Sequence, residues 1–240
     1  MSRRRLTLIG LLGAGMLTAG ALTGCASGAA SAPSSSSPPD AATAEPAGDV
    51  GAAWVDAGRA IAVVTYGSSS CVPAVSAEPQ IADGALTVDL VEPSQEPCTR
   101  DMAPRATLVG LPAGTDATAD LAVRVTGAAE GETTLTGLAE VPAASEDFAP
   151  SAGWVSSTLV AIVTYGSSSC VPTVESVSTD GSDVAVQFAT PPADQVCTMD
   201  YAARVTLADV GAEAGDGSVS LVLSGGNVQV EGPVPVLGTR

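Results

Sequence analysis

Two runs of hydroxyls, Ser68-Ser69-Ser70 and Ser167-Ser168-Ser169, each followed by a cysteine, are the densest groups of reactive side chains in the sequence. A serine becomes a nucleophile when a base takes its proton, and the 240 residues contain neither histidine nor lysine. That absence removes Ser-His-Asp and Cys-His catalysis, His-ligated zinc or haem, Schiff-base chemistry, Ser-Lys dyads and lysine-containing phosphate loops. Nor do the serines sit in a G-x-S-x-G elbow. Two uses remain. The hydroxyls can bond backbone groups of their own loop, or, beside Tyr66 and Tyr165, they can line a stapled recognition loop that binds a partner at low entropic cost.

The other chemistry-bearing residues are Asp101 and Arg105, matched later in the chain by Asp200 and Arg204. In an extended segment Thr99, Asp101, Ala103, Arg105 and Thr107 share one face, opposite Met102, Ala106 and Leu108. With the apolar set turned inward, Asp101 and Arg105 are expected on an outer or rim surface, about 13 Å apart and unpaired unless the chain turns. Each arginine either bonds local carbonyls and carboxylates or fixes an anionic, carboxylate-bearing ligand. Duplicated sites would then favour a repetitive target. No catalytic residue, cofactor or metal site is expected. The 26 acids are dispersed, no D-x-D-x-D-G loop is present, and Asp180-Gly181-Ser182-Asp183 and Asp216-Gly217 read as turns. With 3% aromatics there is no sugar-stacking pattern to accompany a carboxylate pair. A formal charge of -17 repels nucleic acid phosphates and anionic headgroups.

These residues occur twice because the sequence does. Residues 65–75 recur at 164–174, identical at ten of eleven positions with an offset of 99, and residues 98–108 recur in the same register at 197–207. A period of that size marks a duplicated domain. Within each copy, residues 85–90, 121–125, 184–188 and 219–223 alternate apolar with small or polar side chains. Turn signals separate them at Asp83-Gly84, Pro112-Ala113-Gly114, Asp180-Gly181 and Gly225-Gly226. About six strands per copy are expected. The fold class that follows is all-β, two tandem antiparallel β-sandwich domains of immunoglobulin-like size.

Setting Cys25 aside, four cysteines remain, Cys71, Cys98, Cys170 and Cys197, and both within-copy separations are 27 residues. Three connectivities are open. The duplication favours Cys71 with Cys98 and Cys170 with Cys197, each copy closing its own loop at about 3.5 kcal/mol in the chain-entropy picture. Such bridges suit an oxidising, extracytoplasmic compartment.

The N-terminus agrees. Arg3, Arg4 and Arg5 precede an apolar run over residues 6–22, the pattern of an export signal, and Leu22-Thr23-Gly24-Cys25 resembles the lipobox of bacterial lipoproteins. That resemblance implies cleavage before Cys25, acylation of its sulfur and a stable lipid anchor at the outer face of the cell membrane. Ser2-Arg3-Arg4-Arg5-Leu6 also loosely resembles a twin-arginine signal. The organisation expected is a signal peptide over 1–24, an Ala/Ser/Pro-rich linker over 25–49, β domains over 50–142 and 151–240, and a connector over 143–150. The G-S-S-S-C and C-T-x-D segments resemble small envelope lipoproteins of high-GC Gram-positive bacteria, a resemblance that implies no activity. The expected function is a binding or scaffolding module of the cell envelope, its partner an envelope protein or an anionic envelope ligand. Alternatives are an inhibitor of an envelope or secreted protease acting through the stapled loops and, third, a histidine-independent hydrolase.

Overall fold

The computed structural model describes residues 50–94, 97–143, 146–215, 217–228 and 230–240. The expected signal peptide, lipidated Cys25 and linker lie outside the described residues, as does Asp216 of one expected turn.

The chain is all-β; among the described residues there is no α-helix, only a three-residue 3-10 turn at Asp56–Gly58. Copy 1 contributes β1 (Val50–Val55), β2 (Ala60–Gly67), β3 (Ala74–Val75), β4 (Gln80–Ala82), β5 (Ala85–Val91), β6 (Ala103–Gly110), β7 (Leu121–Gly127) and β8 (Gly131–Leu135). Copy 2 contributes β9 (Ser151–Trp154), β10 (Leu159–Gly166), β11 (Val174–Asp180), β12 (Asp183–Phe188), β13 (Ala202–Asp209), β14 (Ser220–Gly225) and β15 (Val234–Leu237). The four alternating segments are strands β5, β7, β12 and β14. In β5 the alternation sends Leu86, Val88 and Leu90 into the core while Asp89 and Val91 stay exposed. Asp83 and Gly84 both adopt left-handed φ, 53° and 79°, between the paired Ala82 and Ala85, which is the geometry a two-residue hairpin loop demands.

Three features correct the expectation of two separate, antiparallel sandwiches. First, the pairs β5–β7, β12–β14 and β15–β9 are parallel. Parallel neighbours need a crossover; β6 supplies it between β5 and β7, and β13 between β12 and β14, each lying in another sheet or at its far end. Second, the strands form three sheets: β1-β2-β6; β3-β5-β7-β8 with β4 beside β5; and an open seven-stranded sheet, β11-β12-β14-β15-β9-β10-β13, whose two halves β15 joins by pairing with both β14 and β9. Third, besides a core in each copy, a further core joins them, built from Ala53, Val55, Ala60 and Ala62 of copy 1 with Ala161 and Val163 of copy 2.

That shared core explains the strands that do not alternate. β1, β2, β9 and β10 are buried on both faces, one against their own copy and one against the other, so they show no alternation of apolar and polar side chains. The approach is close: a Cβ on Gly153 would lie 1.9 Å from the Trp54 carbonyl oxygen. Trp54 itself is buried, its indole N–H donating to Thr136 O at 2.9 Å.

Candidate functional site

Each copy folds its serine run against the start of its second repeated block. The disulfides Cys71–Cys98 and Cys170–Cys197 hold those two segments together, with Cα separations of 5.5 and 5.6 Å. The hydroxyls then bond one another. Ser68 Oγ and Thr99 Oγ1 share a hydrogen bond of 2.8 Å, the Thr99 amide donates to Ser70 Oγ at 3.0 Å, and the Ser69 amide donates to Asp101 Oδ1 at 3.2 Å. The Thr99 hydroxyl also donates to Asp101. Copy 2 repeats the pattern: Ser167 with Thr198 at 2.8 Å, the Thr198 amide to Ser169 Oγ at 2.9 Å, the Ser168 amide to Asp200 at 3.1 Å, and the Thr198 hydroxyl to Asp200.

The carboxylates feel this directly. The Ser69 hydroxyl, then the Thr99 hydroxyl and the Ser69 amide, bond the charged form of Asp101 and bring its pKa down to about 2. Ser168 and Thr198 do the same to Asp200, also to about 2. Both acids are therefore fixed anions that latch a loop.

Arg105 and Arg204 are not on a rim. They are 6% and 8% exposed, and Thr107 and Thr206 are buried beside them, which corrects the expected facing of this strand; Met102, expected to point inward, is 77% exposed. The reason is polar compensation on the inner face. Arg105 Nη1 donates to Cys71 O at 2.5 Å, Arg105 Nη2 meets Glu92 Oε1 at 2.7 Å, and Thr107 Oγ1 donates to Pro73 O at 2.7 Å. The opposite face of β6, with Leu108, packs on the core between the copies. As expected of residues so far apart along a strand, Asp101 and Arg105 take different partners. Gly67 and Gly166 make room for the guanidinium groups: a Cβ there would lie 2.6 Å from Arg105 Cζ and 2.8 Å from Arg204 Cζ.

The two loops differ in what surrounds them. Tyr165 joins Tyr201, stacked at 6.2 Å between ring centroids, and Phe148, whose ring meets both edge-on at 5.4 and 5.3 Å. In copy 1 the position of Tyr201 is held by Met102, so Tyr66 has no such partners at the matching place. Phe148 and Tyr201 remain 57% and 64% exposed, and a contiguous exposed apolar patch is a feature of interaction sites and ligand grooves. Together with Ser167, Cys170, Cys197 and Arg204, these rings line a cavity of about 390 Å³. Burial pushes the Tyr165 hydroxyl up from its ordinary value, and the nearby Asp56 carboxylate adds to it.

The structure thus brings all six copy-2 candidates, Tyr165, Ser167, Ser168, Ser169, Asp200 and Arg204, to one loop, and their copy-1 counterparts to another. Sequence reasoning missed Phe148, Tyr201 and Glu92. Tyr201 was visible as the departure from Met102 in the aligned blocks, and Glu92 as the departure from Pro191 at the same offset; Phe148 lies in the expected connector, where no pattern pointed to it. Among the described residues no group of three or more acidic or cysteine side chains is placed to hold a metal ion, and no helix is long and apolar enough to cross a membrane. Compared with protein-family models, with curated proteins and with solved structures, the chain matches none.

Proposed function

We propose that this protein is an extracytoplasmic binding module, tethered to the outer face of the cell membrane by a lipid on Cys25, with its binding site at the stapled loop of copy 2. The tether rests on the Leu22-Thr23-Gly24-Cys25 signature after its apolar run. The reading includes the finer division into tandem domains over 50–142 and 151–240, joined by residues 143–150. The observation that carries the binding role is the cavity at Tyr165: a disulfide-held loop forms one wall, and three aromatic rings in a chain with 3% aromatics gather at its mouth. A wall held by a disulfide and a hydroxyl latch needs little further ordering when a ligand arrives.

The test is a crosslinking capture from envelope and secreted fractions, using residues 26–240 and the double variant Tyr66→Ala, Tyr165→Ala. A partner caught by the parent and lost with the variant supports the reading. An equal catch with both baits returns the loops to a purely structural role.

A further inference from the structure

The two copies treat the same buried arginine differently. In copy 1, Glu92 closes a two-point ion pair on Arg105, with Nη2 to Oε1 at 2.7 Å and Nη1 to Oε2 at 3.4 Å. Ninety-nine residues on, the position of Glu92 is Pro191. Among the described residues no carboxylate lies within ion-pair distance of Arg204. Its five N–H donors meet only uncharged acceptors, Cys170 O at 2.9 Å, Tyr165 O at 3.0 Å and Thr164 Oγ1 at 3.5 Å, while its Nε, like that of Arg105, has no partner. In copy 1 the buried Thr65 hydroxyl lacks the arginine contact that Thr164 has.

A buried cation without a counter-charge is costly, and burial alone holds Arg204 below the ordinary arginine value. The copy-2 guanidinium lines the 390 Å³ cavity, as does Pro191, and that volume falls in the range of small-ligand pockets. One further residue of the lining, Phe148, holds a left-handed φ of 65°, a backbone strain that collects at ligand sites.

We propose that this cavity binds a monocarboxylate with an aromatic or apolar body: Arg204 takes from the ligand the carboxylate that Glu92 supplies to Arg105 in copy 1, and Phe148, Tyr165 and Tyr201 hold the body. The proposal rests on the binding reading above and names its ligand chemistry. A single carboxylate matches the site because Arg204 is the one cationic side chain among the described lining residues. A carboxylate of this kind comes either from a free small acid or from the C-terminus of a peptide, and one pocket chemistry serves both.

The test is calorimetric titration of the full chain with phenylacetate against phenylacetamide, and with N-acetyl-alanyl-phenylalanine against its C-terminal amide. The acid of at least one pair is expected to bind about tenfold or more tightly than its amide, the scale of one charge-assisted bond; the pair with the larger preference identifies the source. Because Arg204→Gln risks the loop itself, the deciding variant is Pro191→Glu, which installs in copy 2 the arrangement copy 1 already tolerates. It is expected to stay folded and to lose the preference for acid over amide. Acid and amide binding alike, or a preference that survives Pro191→Glu, overturns the carboxylate proposal. If the binding seen in either case still disappears with Tyr165→Ala, the binding reading stands without it. No binding of either class below about 10 mM, with a capture indifferent to Tyr165→Ala, overturns both.

Discussion

Asp101 and Asp200 show how a surface carboxylate becomes part of a scaffold. Their folded-state pKa of about 2 lies under the unfolded value of about 3.9. The unfolded chain therefore takes up protons first as pH falls, so the latch contributes fully above about pH 4 and is lost as pH drops through about 2. Asp101→Asn with Asp200→Asn is expected to lower the urea midpoint at pH 6 and to leave a much smaller offset at pH 2; an offset equal at both would mean the loops are held by something other than these anions. The arginines make an opposite pair of predictions. Glu92→Ala strips a half-exposed partner from buried Arg105 and is expected to cost about 1–2 kcal/mol, while Pro191→Glu is expected to raise the midpoint, both read by urea unfolding. At this scale the sequence was informative about which residues gather around each disulfide and misleading about where they point. Asp101 and Arg105 fall on one side of an extended segment, but alternation assigns a face only where polar side chains lack partners inside; Cys71 O, Pro73 O and Glu92 provide them for Arg105 and Thr107.

The elements were legible wherever one face is wet. Strands β5, β7, β12 and β14 alternate because their outer faces meet solvent, and the hairpin loop at Asp83-Gly84 follows from residue types that tolerate positive φ. β1, β2, β9 and β10 were harder, since a strand covered on both sides has no period to read. The parallel pairings were not legible at all, because crossover through another layer is a property of topology rather than of any segment. Gly153 tests the element packing. A Cβ there collides with backbone, 1.9 Å from Trp54 O, so no rotamer change relieves it and Gly153→Ala is expected to cost about 3 kcal/mol. Gly110→Ala, where a Cβ meets nothing within 4 Å, is expected to be close to neutral; thermal denaturation of the two variants side by side is the measurement. Equal losses would mean that β1 and β9 do not approach as described.

For the whole molecule, duplication is the organising fact and the most legible one: the register of 99 favours the pairing that both disulfides adopt. What the repeat concealed is that the copies share a core and have diverged around one loop. Residues 50–142 alone would expose the alanine-rich face of β1 and β2, and are expected to unfold at lower urea than residues 50–240, with a dependence on protein concentration if the bare face self-associates. Divergence is the functional half of the account. Copy 1 closes its arginine with Glu92 and leaves Met102 where copy 2 has Tyr201; copy 2 opens the same place into a cavity with aromatic walls. The most direct test of a binding module with its site in copy 2 is to repeat the capture from envelope and secreted fractions with Tyr66→Ala and Tyr165→Ala as separate single variants. The account predicts that the partner is retained by Tyr66→Ala and lost by Tyr165→Ala. A partner lost by Tyr66→Ala and kept by Tyr165→Ala, or kept by both, would contradict it.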